Sequence, residues 1–244
     1  MLTDPLFWLL GGLGVILTGI SKSGFAGGAG VVAVPLLALI MPLPQAAALM
    51  LPVLLVMDAK TVHYYFRHAH WPSLKALLPA ACLGIGAGAL GMGTLSDAAL
   101  QLSLALLCIV FGLWAPLSHW FSKFRGAGWV WGAAAGTSST LIHAGGPPLN
   151  IYLLGRGLPK LQWLATASIF FAVLNVIKIL PYGLLGQWQA DTLSLSLALL
   201  PLALLGVWAG KVIAQKIDDA TFMNACRGLL IISGLLLLAK AGLW

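Results

Sequence analysis

The chain has 244 residues, 60% of them hydrophobic and only 8% charged, with thirteen Lys or Arg, six Asp and no Glu. A soluble domain carries about 25% charged residues, and so few ionisable groups cannot cover a globule of this length, which excludes a soluble enzyme or binding module. A mean hydropathy of +0.99, with ten Trp and 29 Gly, instead points to an all-α polytopic membrane protein with the lipid bilayer as its solvent. The net charge of +7 is spread singly between apolar runs, so nucleic acid is not an expected partner.

In chain order, the N-terminus carries Asp4 rather than a basic stretch, and no small-residue cleavage site follows, so the first apolar run reads as a retained helix. Residues 6–20 and 30–41 are short apolar runs either side of Ser21-Lys22-Ser23-Gly24-Phe25-Ala26-Gly27-Gly28. Residues 45–66, 74–94 and 98–120 each reach the about 20 apolar residues of a full crossing. The region Trp129 to Leu154 repeats the interrupted pattern, with its break over Thr137 to Pro148. Three more crossings follow at 161–182, 192–211 and 220–241. Glycine-rich polar backbone inside an apolar region needs protein or a water-filled cavity to satisfy its N–H and C=O groups, so both breaks read as broken or re-entrant helices.

Arg67 and Lys75, Lys123 and Arg125, Arg156 and Lys160, and Lys211 and Lys216 mark four basic connections, which the positive-inside rule places in the cytoplasm. The connections 94–97 and 183–191 hold Asp97 and Asp191 and no basic residue, and face outward. An internal repeat agrees: Leu78-Pro79, Gly84/Gly88, Asp97 and Gly112-Leu113 recur 122 residues later as Leu200-Pro201, Gly206/Gly210, Asp219 and Gly234-Leu235. The expectation is one integrated membrane domain of two inverted-topology repeats, 1–122 and 123–244, each with an interrupted helix pair and three long transmembrane helices. Inverted repeats with paired interruptions are the pattern of secondary transporters that bind substrate at the interruptions. The GxxxG pairs suit packing within one subunit or in a homodimer.

The interruptions carry the candidate chemistry. Gly27-Gly28 would start a half-helix whose N–H groups and dipole favour anions, with Lys22 between Ser21 and Ser23 just before it. Two readings stand for Lys22: a small anionic substrate pairs with it, or it snorkels to an interface. For Ser21 and Ser23 the alternatives are ligand contact and local capping. The second break offers Ser138, Ser139 and Thr140, then His143, and a helix restart near Pro147 behind Gly145 and Gly146. His143 is a proton carrier or a packing histidine, and Asn150 contacts substrate or backbone. In the long helices, Asp58 is a coupling or gating candidate, Lys178 a candidate in an anion pathway, and Asn175 a binding candidate. His63, His68 and His70 lack an acidic or Cys partner, so no metal site is expected. Cys82, Cys108 and Cys226 form no CxxC pair and are assigned to packing, and nothing calls for a cofactor.

The segments SKSGFAGGAG-VVAVPLLAL, GGPPLNIYLL and NVIKILPY together resemble the TauE/SafE family, a duplicated-motif group that includes sulfite and sulfonate exporters. The resemblance spans nearly the whole chain and implies a multi-pass inner-membrane carrier for small sulfur-containing or related organic anions. It points to Gly27, Gly28, Gly145, Gly146, Pro147 and Pro148 as motif positions. With no GxxxxGK[ST] motif, the expected drive is a proton or sodium gradient. The rivals are a passive anion channel and an intramembrane hydrolase using Ser23 or Ser139 with His143; an enzyme is not expected.

Overall fold

The computed structural model describes residues 4–27, 33–37, 40–41, 43–91, isolated positions between 102 and 121, 123–186, 188 and 190–242. Within them lie α1 (Pro5–Gly24), α2 (Ala33–Leu37), α3 (Leu43–Tyr65) running into a 3₁₀ turn (Phe66–His68), and α4 (Trp71–Gly91). Then come α5 (Ala127–Ile142), α6 (Gly146–Leu154), α7 (Lys160–Leu184), α8 (Ala190–Lys216) and α9 (Asp219–Gly242). The expected crossing 98–120 falls largely outside the described residues, as do Gly28, Asp97 and Cys108.

Five described helices are long and apolar enough to cross a membrane: Pro5–Gly24, Gln45–His68, Trp71–Gly91, Lys160–Leu184 and Asp191–Lys216. The chain is therefore an all-α polytopic membrane protein. Its burial pattern is that of a protein in lipid: Leu90 and Leu184 are 85% and 79% exposed while Lys178 is fully buried. Cys82, expected to pack, instead lies exposed on α4.

Asp4 starts α1 by accepting the Leu6 N–H at 2.9 Å, with Pro5 in the first turn where its missing N–H costs nothing. The first interruption begins later than the sequence suggests. Helix α1 runs through Ser21, Lys22 and Ser23 to Gly24, and is a full-length span rather than a short run. It ends where Ala26 and Gly27 turn left-handed at φ 52° and 72°, and the N–H groups of Phe25 and Gly27 both donate to the Ser21 carbonyl at 2.8 and 2.9 Å.

Two helix pairs approach backbone to backbone on glycine. A Cβ on Gly24 would meet the Gly210 carbonyl at 2.9 Å and one on Gly206 the Ile16 carbonyl at 2.5 Å, joining α1 to α8. In the same way Gly84 and Gly88 of α4 face Ala133, Thr137 and Thr140 of α5, while Gly128, Gly132 and Gly136 of α5 face Ala76, Leu77 and Ala81 of α4. Both GxxxG faces are therefore occupied inside the chain, the first of the two packings the sequence leaves open. Neighbouring residue numbers rise together in each pair, so α1 is parallel to α8 and α4 to α5.

The Tyr65 hydroxyl donates to the Ser23 carbonyl, Lys211 stands over the Tyr64 ring, the His70 N–H reaches Thr166, and Lys160 donates to the Ile217 carbonyl. These contacts gather three of the basic connections at one end of the molecule, and Gly128 against Ala76 brings the fourth, Lys123 and Arg125, to the same end. Helices α1, α3 and α8 run toward that end, and α4, α5 and α7 run away from it. Two large apolar cores, with a smaller one of Ala47, Ala48, Leu51 and Tyr182, are formed among the described residues. One holds Phe7, Val15, Leu37, Met57 and Val207 from α1, α2, α3 and α8. The other holds Leu77, Trp131, Tyr152, Trp163 and Phe222 from α4, α5, α6, α7 and α9.

Candidate functional site

Because α1 continues through Lys22, the lysine faces inward from its last turn and is only 7% exposed. It does not snorkel, and the partner the sequence left to an anion is a residue of the chain itself: Lys22 forms an ion pair with Asp58 of α3. The second Asp58 oxygen accepts from Asn175 Nδ2 of α7 at 2.5 Å, and the Phe171 ring lies 5.2 Å from the Lys22 ammonium. Three helices thus meet at one carboxylate whose two oxygens are both engaged.

The second interruption is shorter than the sequence suggests. Helix α5 extends to Ile142, and α6 restarts at Gly146, so the break is only residues 143–145. The hydroxyls expected there are helical. Ser138 donates to the Ala134 carbonyl at 2.7 Å and to Ala144 across the break at 3.0 Å, and Thr140 donates to Gly136 at 2.8 Å. The bond to Ala144 satisfies a carbonyl in the break, and the other two fold the hydroxyls back onto carbonyls of the same helix, which is local capping and back-bonding. Ser23 likewise donates to the carbonyls of Gly19 and Val207. Gly146, Pro147 and Pro148 open α6, so only the first of these three carries an N–H. The anion-binding N-terminus foreseen there is nearly stripped of donors, and the start of its counterpart after Gly28 lies outside the described residues.

His143 ends α5 at φ 52°, a left-handed conformation that glycine usually takes. A non-glycine residue there costs of order 1 kcal/mol or more. The consequence is position: the turn aims the imidazole at α7. Its Nδ1 lies 2.9 Å from the Lys178 ammonium, and its Nε2 lies 3.0 Å from the Ala47 carbonyl and 3.3 Å from the Tyr182 hydroxyl. The Tyr182 hydroxyl in turn donates to the Thr140 carbonyl at 3.2 Å. These partners assign the tautomer: Nε2 carries the proton toward Ala47, and Nδ1 accepts from Lys178.

Lys178 is fully buried. Its ammonium also donates to the Ser139 carbonyl at 3.2 Å and hydroxyl at 3.0 Å, and among the described residues no carboxylate lies within 4 Å of it. Among the described residues it is therefore Lys178, and not Lys22, that is buried without a carboxylate partner. Neither ring nitrogen of His143 has a serine hydroxyl as partner, in contrast to the pairing the hydrolase reading requires.

Lys22, Ser139, His143, Asn175 and Lys178, with Gly27 and Gly146, line one cavity of about 30 Å³. That is room for a water or two. Asp58 stands behind it, bonded to two of its walls. Ser21, Ser23, Ser138, Thr140, Gly145 and Asn150 do not line it; Asn150, for example, faces Trp163, whose Nε1 donates to Oδ1 at 3.2 Å. Three lining residues escaped the sequence reading: Thr18, Leu54 and Phe171. Thr18 lies four residues before Lys22 on the same helical face, a signal that appears only once α1 is continued through Lys22.

The comparisons with known proteins agree with this architecture. Residues 11–237 match the family described as sulfite exporter TauE/SafE. The chain is 31% identical over 236 residues to a protein of Comamonas testosteroni named probable inner membrane transporter protein TsaS, a match covering 94% of this chain and 89% of that protein. No solved structure matches the fold closely enough to add to this. A match across nearly the whole chain, on a polytopic helical fold with a polar cavity at its two interruptions, makes this protein a member of the TauE/SafE family of membrane transporters.

Proposed function

We propose that the protein is a secondary transporter that exports a small oxyanion, such as sulfite or a short sulfonate, across the inner membrane by alternating access, and is not an enzyme. One observation carries the reading: two buried ammonium groups and a single carboxylate meet at one cavity, and Lys178 has no carboxylate within 4 Å among the described residues. A buried charge needs a partner of opposite sign, and an anion supplies it. A cavity of about 30 Å³ is far from a continuous pore, which favours a carrier over a channel.

The drive we assign is the proton gradient. Both Asp58 oxygens are held by Lys22 and Asn175, leaving that carboxylate poorly placed to bind sodium. His143 is better suited: when an anion draws the Lys178 ammonium off Nδ1, that nitrogen is freed to take a proton. Lys178 and Tyr182 of α7, Lys22 of α1 and Asp58 of α3 are the other ionisable groups around it. The opposed senses of α1, α3 and α8 against α5, α7 and α4 support the inverted-repeat architecture, with 1–122 and 123–244 as its halves.

The test is uptake of labelled sulfite, sulfate and ethanesulfonate into proteoliposomes, with and without a pH gradient. Saturable, counterflow-competent uptake that responds to the pH gradient is expected, abolished in Lys178→Met. Uptake by Lys178→Met at the unaltered KM would sink the proposal, and linear flux without counterflow would make the protein a channel.

A further inference from the structure

One cavity group has no use in the scheme above. Thr18 is fully buried and lines the cavity, and its hydroxyl has no hydrogen-bond partner among the described residues. Hydroxyls in helices ordinarily return their hydrogen to the carbonyl four residues earlier. Here Ser23, Ser138, Thr140, Thr166, Ser168 and Ser196 all do so. Thr18 does not, and a buried donor left unsatisfied carries a desolvation penalty that folding alone gives no reason to keep. The hydroxyl sits on α1, whereas Lys178, Asn175, His143 and Ser139 approach the cavity from α5, the α5–α6 break and α7.

We propose that Thr18 is a substrate-contacting residue: once the cavity, which as it stands holds only a water or two, widens around the anion, its hydroxyl donates to a second oxygen of the anion whose first oxygen sits on Lys178. This rests on the reading of the cavity as an anion site and adds a specificity to it. An ammonium attracts any anion, a halide included. A hydroxyl on the opposite helix rewards only an anion that carries a second acceptor oxygen beside the first, so the cavity selects sulfite or sulfonate groups over monatomic anions. The bound oxyanion then ties α1 to α7.

The test compares Thr18→Val, which keeps the side-chain shape and removes the hydroxyl, with Thr18→Ser and Lys178→Met, in proteoliposomes with ethanesulfonate as substrate and bromide as inhibitor. Thr18→Val should raise the KM for ethanesulfonate about tenfold, the effect of losing one hydrogen bond to a charged group. Its bromide inhibition constant should stay unchanged, and its melting temperature should be equal or higher because an unsatisfied donor is gone. Thr18→Ser should keep the original KM. An unchanged KM in Thr18→Val with transport lost in Lys178→Met refutes the Thr18 contact and leaves the anion site standing, the hydroxyl then having served only a water. A bromide constant that moves in step with the KM also refutes it. If the unmodified protein neither moves nor binds sulfite or ethanesulfonate, the anion reading falls first and the Thr18 contact with it.

Discussion

The Lys22–Asp58 pair makes the sharpest energetic prediction. Its side chains are 7% and 3% exposed, so solvent and salt screen it little. Removing one partner strands the other as a buried, uncompensated charge, which costs about 3–5 kcal/mol. For a protein of this length that is a fall in melting temperature of about 6–20 °C. Lys22→Gln and Asp58→Asn should each show it. The double variant should recover most of the loss, because Asn at 58 still accepts from Asn175 through its carbonyl while its amide donates to Gln at 22. Thermal unfolding of the purified protein in detergent, run as a double-mutant cycle at low and 0.5 M salt (about 0.5 M, well above where exposed pairs are screened), reads this directly. Single variants within 1–2 °C of the parent, or a double variant whose loss equals the sum, would show that the two side chains do not depend on one another.

Three other expectations follow from the same coordinates. Gly206→Ala should destabilise by about 1–3 kcal/mol, since its Cβ would press on the Ile16 carbonyl, whereas Gly86→Ala, with nothing within 4 Å, should be neutral or slightly stabilising. Comparable melting temperatures for the two would refute the backbone-contact account. Gly27→Ala combines a left-handed φ of 72° with the Phe171 ring 3.0 Å away, and should cost about 1 kcal/mol or more in unfolding free energy; a stability gain would show that the turn is not held. Single cysteines at Arg125, Gly157 and Lys216 should react with a membrane-impermeant reagent from the cytoplasmic side, and one at Trp188 from the other. A shared side for 157 and 188 would break the assigned helix directions.

Much of the architecture is legible in the sequence because it rests on counting. Apolar run length gives α3, α4, α7, α8 and α9 to within a few residues, and basic connections at one end follow from where Lys and Arg occur. The interruptions are misjudged for a common reason. Serine, threonine and glycine read as helix breakers, yet in a low-dielectric interior the hydroxyls bond back to carbonyls and the glycines allow helix contact, so Ser21–Gly24 and Thr137–Thr140 stay helical. Lys22, Asp58, Asn175, Lys178 and His143 are each visible as polar residues in apolar surroundings. Their pairing is not, because Lys22 and Asp58 lie 36 positions apart and Asp58 and Asn175 lie 117 apart. Only the fold tells which lysine has a carboxylate and which does not.

The glycine contacts have a mechanical consequence. Where backbones touch, as in α1 with α8 and α4 with α5, two helices move as one beam. Between the beams stand α3 and α7, and polar contacts fasten each beam to them: Lys22 to Asp58 and Tyr65 to Ser23 on one side, Lys178 to Ser139 and Tyr182 to Thr140 on the other. The two tyrosine bonds are alike, but the lysine contacts are not: the first joins two full charges and the second joins a charge to a hydroxyl and a carbonyl, so the two sides differ in strength. Under the alternating access proposed above, such a molecule would part at the Ser139–Lys178 seam more readily than at the other. Its two faces would then open with unequal ease.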